Sequence, residues 1–126
     1  MPIIHAYTNI SEVEKEAKKD YIDRHSPFIS APGLVEKGVP FSVTVTMGNE
    51  YTHPADDDHY IAQISLFNNE TLLSTVNLTP QMVSHQKSNI QVSFSLVTNK
   101  KMKLTAVGYC TKHGSWTNDA IVVGVQ

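Results

Sequence analysis

The sequence predicts an all-β fold: an antiparallel sandwich of two sheets and about seven strands, preceded by a short N-terminal helix or irregular segment. Two observations carry this prediction. Apolar residues alternate with hydroxyl and amide residues at period two, as in Phe41, Val43, Val45 and Met47 against Ser42, Thr44 and Thr46. Short apolar runs then recur with turn residues between them, and almost no helical period follows Pro27.

In chain order, Ser11-Glu12-Val13-Glu14 reads as a capping box, with a hydroxyl at the cap and a carboxylate three residues on, and predicts a short helix over about residues 12–19. Weak strand signals flank Gly33, at Phe28 to Ser30 and Leu34 to Glu36. Phe41 to Met47 is a half-buried strand. Tyr60 to Phe67 is apolar on both faces and is placed centrally. Leu72 to Val76 follows the turn sequence Asn68-Asn69-Glu70, and Ile90, Val92, Phe94 and Leu96 alternate on one face. Met102 to Tyr109 and Ala120 to Val125 complete the set. Residues 1–22 are an N-terminal segment and 23–126 the sandwich, one domain in all.

The 126 residues can bury a sizeable core, with 40% hydrophobic and 17% charged content. A net charge of −2 offers nothing that attracts nucleic acid or an anionic membrane in bulk. Met1-Pro2-Ile3-Ile4-His5 lacks a basic leader region, and no later stretch approaches a membrane span. A cytoplasmic protein is expected, in which a lone thiol stays reduced.

The single cysteine has no internal disulfide partner, and four of the six histidines stand with it in three short motifs. These are Arg24-His25-Ser26-Pro27, His53-Pro54 with His59 six residues on, and Cys110-Thr111-Lys112-His113-Gly114. Each sits where strands are expected to run out, and functional groups collect at such loop ends. His5 and His85 have no metal-type neighbour and read as surface histidines. Thiolate with imidazoles suits zinc, copper or iron. Structural zinc takes four ligands, usually with more sulfur than this. An electron-transfer copper protein is the serious alternative, but its site uses two histidines, one cysteine and a weak axial methionine. Here the last methionine, Met102, lies upstream of the cysteine. Four nitrogens in a plane with a sulfur below them describe a square pyramid, which fits an octahedral-type iron.

At these residues the chain resembles the superoxide reductases of the short one-iron kind, the neelaredoxins, which are related to the iron-site domain of desulfoferrodoxin. The family motifs are Lys-His-x-Pro, His-Pro-x4-His and Tyr-Cys-x-x-His-Gly-x-Trp. The chain carries Arg24-His25-Ser26-Pro27, His53-Pro54 through His59, and Tyr109-Cys110-Thr111-Lys112-His113-Gly114-Ser115-Trp116 in the same order. The resemblance runs from about residue 20 to the C-terminus. It implies an immunoglobulin-like sandwich and one iron per chain, with His25, His53, His59 and His113 as equatorial nitrogens and Cys110 as the axial sulfur. It further implies one-electron reduction of superoxide to hydrogen peroxide, an electron donor such as rubredoxin, and a homo-oligomer, often a tetramer.

Two positions depart from the family. Its lysine before the first histidine is Arg24 here, which keeps the positive charge for attracting superoxide but is a poor proton donor. Its glutamate two residues before that histidine is Asp23, one methylene shorter. Asp23 is therefore the candidate sixth ligand, with a plain surface carboxylate as the alternative. Peptide N–H groups around Thr111 to His113 are candidates to bond the sulfur. Lys112 either adds positive potential at the mouth or is simply solvated. Trp116 and Tyr109 read as packing residues.

Overall fold

A computed structural model describes residues 8–9, 19–51, 53, 59–80 and 89–126. Within them lie one helix, α1 (Lys19–His25), and ten strands: β1 (Thr8–Asn9), β2 (Pro27–Ser30), β3 (Leu34–Val35), β4 (Phe41–Met47), β5 (Ile61–Asn68), β6 (Thr71–Asn77), β7 (Gln91–Leu96), β8 (Met102–Cys110), β9 (Gly114–Thr117) and β10 (Ile121–Val125).

The strands form the expected two sheets. One is three-stranded, in the order β2-β4-β7. The other holds seven strands around β8, which pairs with β5 along one edge and with β9 and β10 on the other; β6 extends it beyond β5. Two junctions differ from an all-antiparallel sandwich. β1 runs parallel to β9, and β3 parallel to β10, each over two residue pairs. These segments carry no alternation of their own and cover strand edges that would otherwise stay open.

The alternation of β4 explains the core. Phe41, Val43, Val45 and Met47 all face inward, and the last three are fully buried. Phe94 and Val92 of β7 pair beside Val43 and Val45. Across the sandwich, Ile64 and Leu66 of β5, Leu104 and Ala106 of β8, and Val123 of β10 close the other side. Each fully buried aliphatic side chain contributes about 1.5–3 kcal/mol. The turn before β6 is a two-residue connection in which Asn69 takes φ 52°, a conformation asparagine tolerates.

The helix over 12–19 falls, but for its last residue, outside the described residues. The helix that is described runs later, and it carries His25 in its final turn. It ends there because Pro27 drives Ser26 out of helical geometry. The Ser26 N–H then donates to the Asp23 carbonyl at 3.0 Å, and its hydroxyl to the Ile22 carbonyl. So His25 is held by a helix end, two residues before Pro27 opens β2.

Met47 leads into a turn at Gly48, whose φ is +81°. A Cβ there would stand 2.4 Å from the Tyr51 carbonyl oxygen and 2.8 Å from Asn89 Nδ2. Gly48→Ala is accordingly expected to cost at least about 2 kcal/mol, from left-handed strain together with the clash. A urea melt with an unchanged midpoint would contradict this.

Candidate metal centre

Each sheet delivers its own share of the site to one end of the sandwich. In the smaller sheet, Pro27 pairs with Met47. His25 lies two residues before that pair and His53 six after it, so the pairing brings the first two motifs together. In the larger sheet, Ile61 pairs with Cys110 and Cys110 with Gly114. The first pair sets His59 beside the cysteine. The second closes a three-residue hairpin loop on which His113 sits, with Gly114 at φ +82° as its left-handed residue.

Thr111 ties these two strands together. Its N–H donates to the Tyr60 carbonyl at 3.0 Å, and its hydroxyl accepts the Tyr60 N–H at 3.2 Å. That N–H is therefore taken and does not serve the sulfur. Of the peptide groups expected to bond Cys110 Sγ, the N–H of His113 does so, at 3.4 Å. Lys112 is exposed in the hairpin loop.

The donor atoms converge. His53 Nε2 lies 3.3 Å from His25 Nε2 and 3.2 Å from Cys110 Sγ. His113 Nδ1 is 3.2 Å from His25 Nε2 and 3.8 Å from the sulfur. Donor atoms of His25, His53, His59 and Cys110 all fall within 4.8 Å of one another. The four imidazoles also form a closed circuit, His25 to His53 to His59 to His113 and back. Their neighbouring centroids are 4.7, 4.8, 4.9 and 5.0 Å apart, and interplanar angles run from 77° to 87°. Rings set edge to face around a circuit can each turn one nitrogen to a common centre.

The spacings test whether a metal fits. With bonds of about 2.1 Å to nitrogen and about 2.3 Å to sulfur, as zinc makes, ligands at right angles stand about 3.0–3.1 Å apart, close to the spacings found. Four nitrogens and a sulfur are one donor too many for a tetrahedron. They are also more than the two histidines and one cysteine of a copper electron-transfer site, so the copper alternative finds no support. The set suits one iron.

Burial gives the site a direction. His25 and Cys110 are fully buried, His53 nearly so, and the sulfur belongs to the hydrophobic core cluster. His59 and His113 are half-buried, the least covered of the five. Trp116 is buried beside His25, its indole stacked on the imidazole at 4.9 Å and 26°, and its Nε1–H donates to the His113 carbonyl at 3.1 Å. It thus touches two of the four histidines, which its reading as packing did not anticipate. Tyr109 is 39% exposed, because strand alternation turns it outward when Cys110 turns in.

Arg24 and Asp23 are both half-buried at the helix end. Asp23 Oδ2 accepts the N–H groups of Asn49, Glu50 and Tyr51 at 3.0, 2.9 and 2.9 Å. This carboxylate oxygen, considered from the sequence as a sixth ligand, is engaged with backbone amides.

Fold and site together define a β-sandwich protein with a mononuclear histidine–cysteine metal centre at one end. Residues 12–119 match the desulfoferrodoxin family, and the chain belongs to it. The superoxide reductase of Pyrococcus horikoshii is 31% identical over 103 residues, 77% of this chain and 85% of that one. The superoxide reductase of Thermococcus kodakarensis is 31% identical over 101 residues, with the same coverage of 77% and 85%. Among solved structures, the superoxide reductase (neelaredoxin) of Ignicoccus hospitalis superposes with a TM-score of 0.74 at 26% identity, covering 95% of each chain.

Proposed function

We propose that this chain is a superoxide reductase, a single domain reducing superoxide to hydrogen peroxide by one electron at one iron. The observation that supports this most is the closed circuit of four imidazoles beside a buried cysteine sulfur. His25, His53, His59 and His113 would hold the iron by nitrogen, and Cys110 by sulfur. Bound there, iron supplies the one-electron couple between its ferrous and ferric states.

The chain's own residues do the rest. With iron bound, the Cys110 thiolate would donate electron density to it, the push known from thiolate-ligated haems. The N–H of His113 withdraws part of that charge and so tunes the push. The imidazoles add no negative charge, so they do not repel an approaching anion. Arg24 carries the positive charge that draws superoxide in, while a guanidinium is a poor proton donor. Water therefore supplies the protons for peroxide. A small electron-transfer protein such as a rubredoxin returns the electron. The cytoplasm is the compartment in which an unpaired thiol remains reduced. No helix among the described residues is long and apolar enough to cross a membrane. A homo-oligomer, as a tetramer, is the assembly the resemblance favours.

The test is the metal content and colour of the purified, oxidised protein. One iron per chain with a blue thiolate-to-iron absorption is expected; a colourless zinc protein would sink the proposal. For Arg24→Ala, the second-order rate with superoxide is expected to fall roughly 2- to 10-fold at low salt, and its salt dependence to flatten. An unchanged rate and salt slope would remove the steering role.

A further inference from the structure

We infer that Asp23 is a positioning residue of the metal centre: its carboxylate clasps the turn after β4 and so sets the distance between His25 and His53. The inference rests on reading the site as a metal centre, and not on superoxide as the substrate.

Four consecutive backbone amides point at the end of α1. Gly48 N–H donates to the Ser26 carbonyl at 2.8 Å. The N–H groups of Asn49, Glu50 and Tyr51 follow, all three ending on Asp23 Oδ2 at 2.9–3.0 Å. Successive N–H groups beside a left-handed residue, here Gly48, form a concavity for an anion, and the carboxylate fills it. Hydrogen bonds to an ionised acceptor are roughly twice as strong as neutral ones. His25 sits between the two acceptors, Asp23 and Ser26, and His53 is two residues beyond Tyr51. The clasp therefore joins the two ligand-bearing segments just outside their 3.3 Å approach at Nε2.

The far side of the same turn is also held. Asn89 Nδ2 donates to the carbonyls of Met47 and Tyr51, both at 3.0 Å. With amides fixed by Asp23 and carbonyls by Asn89, the turn cannot swing without breaking one set. Oδ2, accepting three N–H groups, has no lone pair left for a metal; Oδ1 is the one oxygen that could ligate, and the band comparison below separates that role from the clasp. Side-chain length fits the same reading. A glutamate is longer by one C–C bond, about 1.5 Å, and would displace the turn.

The experiment uses the full-length, metal-free chain titrated with Co²⁺, following the thiolate-to-cobalt absorption that reports metal on Cys110. Asp23→Ala is expected to weaken Co²⁺ binding about 10- to 100-fold, the range for groups that orient a metal ligand. Asp23→Asn keeps an acceptor oxygen at the same reach and is expected to recover most of that loss. The visible band of the oxidised iron-loaded protein is expected at the same wavelength in the wild type and in Asp23→Asn. Wild-type affinity in Asp23→Ala would overturn the inference. Equal losses in both variants, with a shifted iron band in Asp23→Asn, would also overturn it, because that pattern marks a direct ligand. Should Asp23→Ala fail to fold by circular dichroism, Asp23→Asn decides alone: near-wild-type affinity with an unshifted band supports the clasp, and a lost affinity or a shifted band refutes it. A wild-type chain that gave no thiolate–cobalt band would count against the metal-centre reading itself, which is a separate failure.

Discussion

Replacing Cys110 with serine is expected to abolish the visible thiolate absorption and to lower the rate with superoxide by more than about a hundredfold. That exceeds the 10- to 100-fold typical of losing an outer partner, because here the donor itself goes. The hydroxyl of serine does not ionise in a fully buried position, where an unpaired charge is costly. The four imidazoles would remain, without the thiolate that would supply electron density to a bound iron. The N–H of His113 would lose its sulfur acceptor at the same time. Anaerobic metal loading followed by stopped-flow with superoxide checks this. A Cys110→Ser protein that stayed coloured, or that kept wild-type turnover, would remove sulfur from the site.

Trp116→Leu is expected to be the most damaging change outside the five proposed ligands. It deletes the ring stacked on His25 and the donor that holds the His113 carbonyl, so two histidines lose their orientation together. We expect metal affinity to fall about 10- to 100-fold. Stability should fall by about 2–4 kcal/mol, since truncating a buried tryptophan costs several kcal/mol and leucine refills only part of the space. Trp116→Phe keeps a ring over His25 and gives up only the hydrogen bond, so about 1 kcal/mol is expected there. Urea melts with and without metal separate the two contributions. If phenylalanine and leucine behaved alike, the stack on His25 would have no orienting role.

The parts of the fold that were legible in the sequence are those whose burial alternates. β4 and β7 announce themselves because one face meets the core and the other meets solvent at every step. β9 went unpredicted because Gly114-Ser115-Trp116-Thr117 has no such period; it exists because the hairpin after Cys110 returns the chain along β8. β1 is two residues long and owes its pairing to β9 alone. The end of α1 was hidden for a related reason, since Pro27 signals an extended chain but not that a helix stops two residues before it. The site was easier to read than the fold around it. Histidine and cysteine are scarce in this chain, and their motifs are compact, so five convergent residues could be named from spacing together with the family resemblance. The groups that orient them were harder. Asp23 was conspicuous as a carboxylate beside a candidate ligand, yet its partners are the backbone amides of Asn49, Glu50 and Tyr51, which leave no mark in a sequence. Trp116 could be seen to be near the site, but not to bridge His25 and His113.

The central claim is that this centre reduces superoxide and does not disproportionate it. The most direct measurement is the product stoichiometry of the iron-loaded, pre-reduced protein mixed with a known amount of superoxide, with peroxide and oxygen assayed together. One hydrogen peroxide per superoxide consumed, one iron oxidised, and no oxygen released is the predicted result. Half an equivalent of peroxide with half an equivalent of oxygen, and iron left in its starting state, would contradict it.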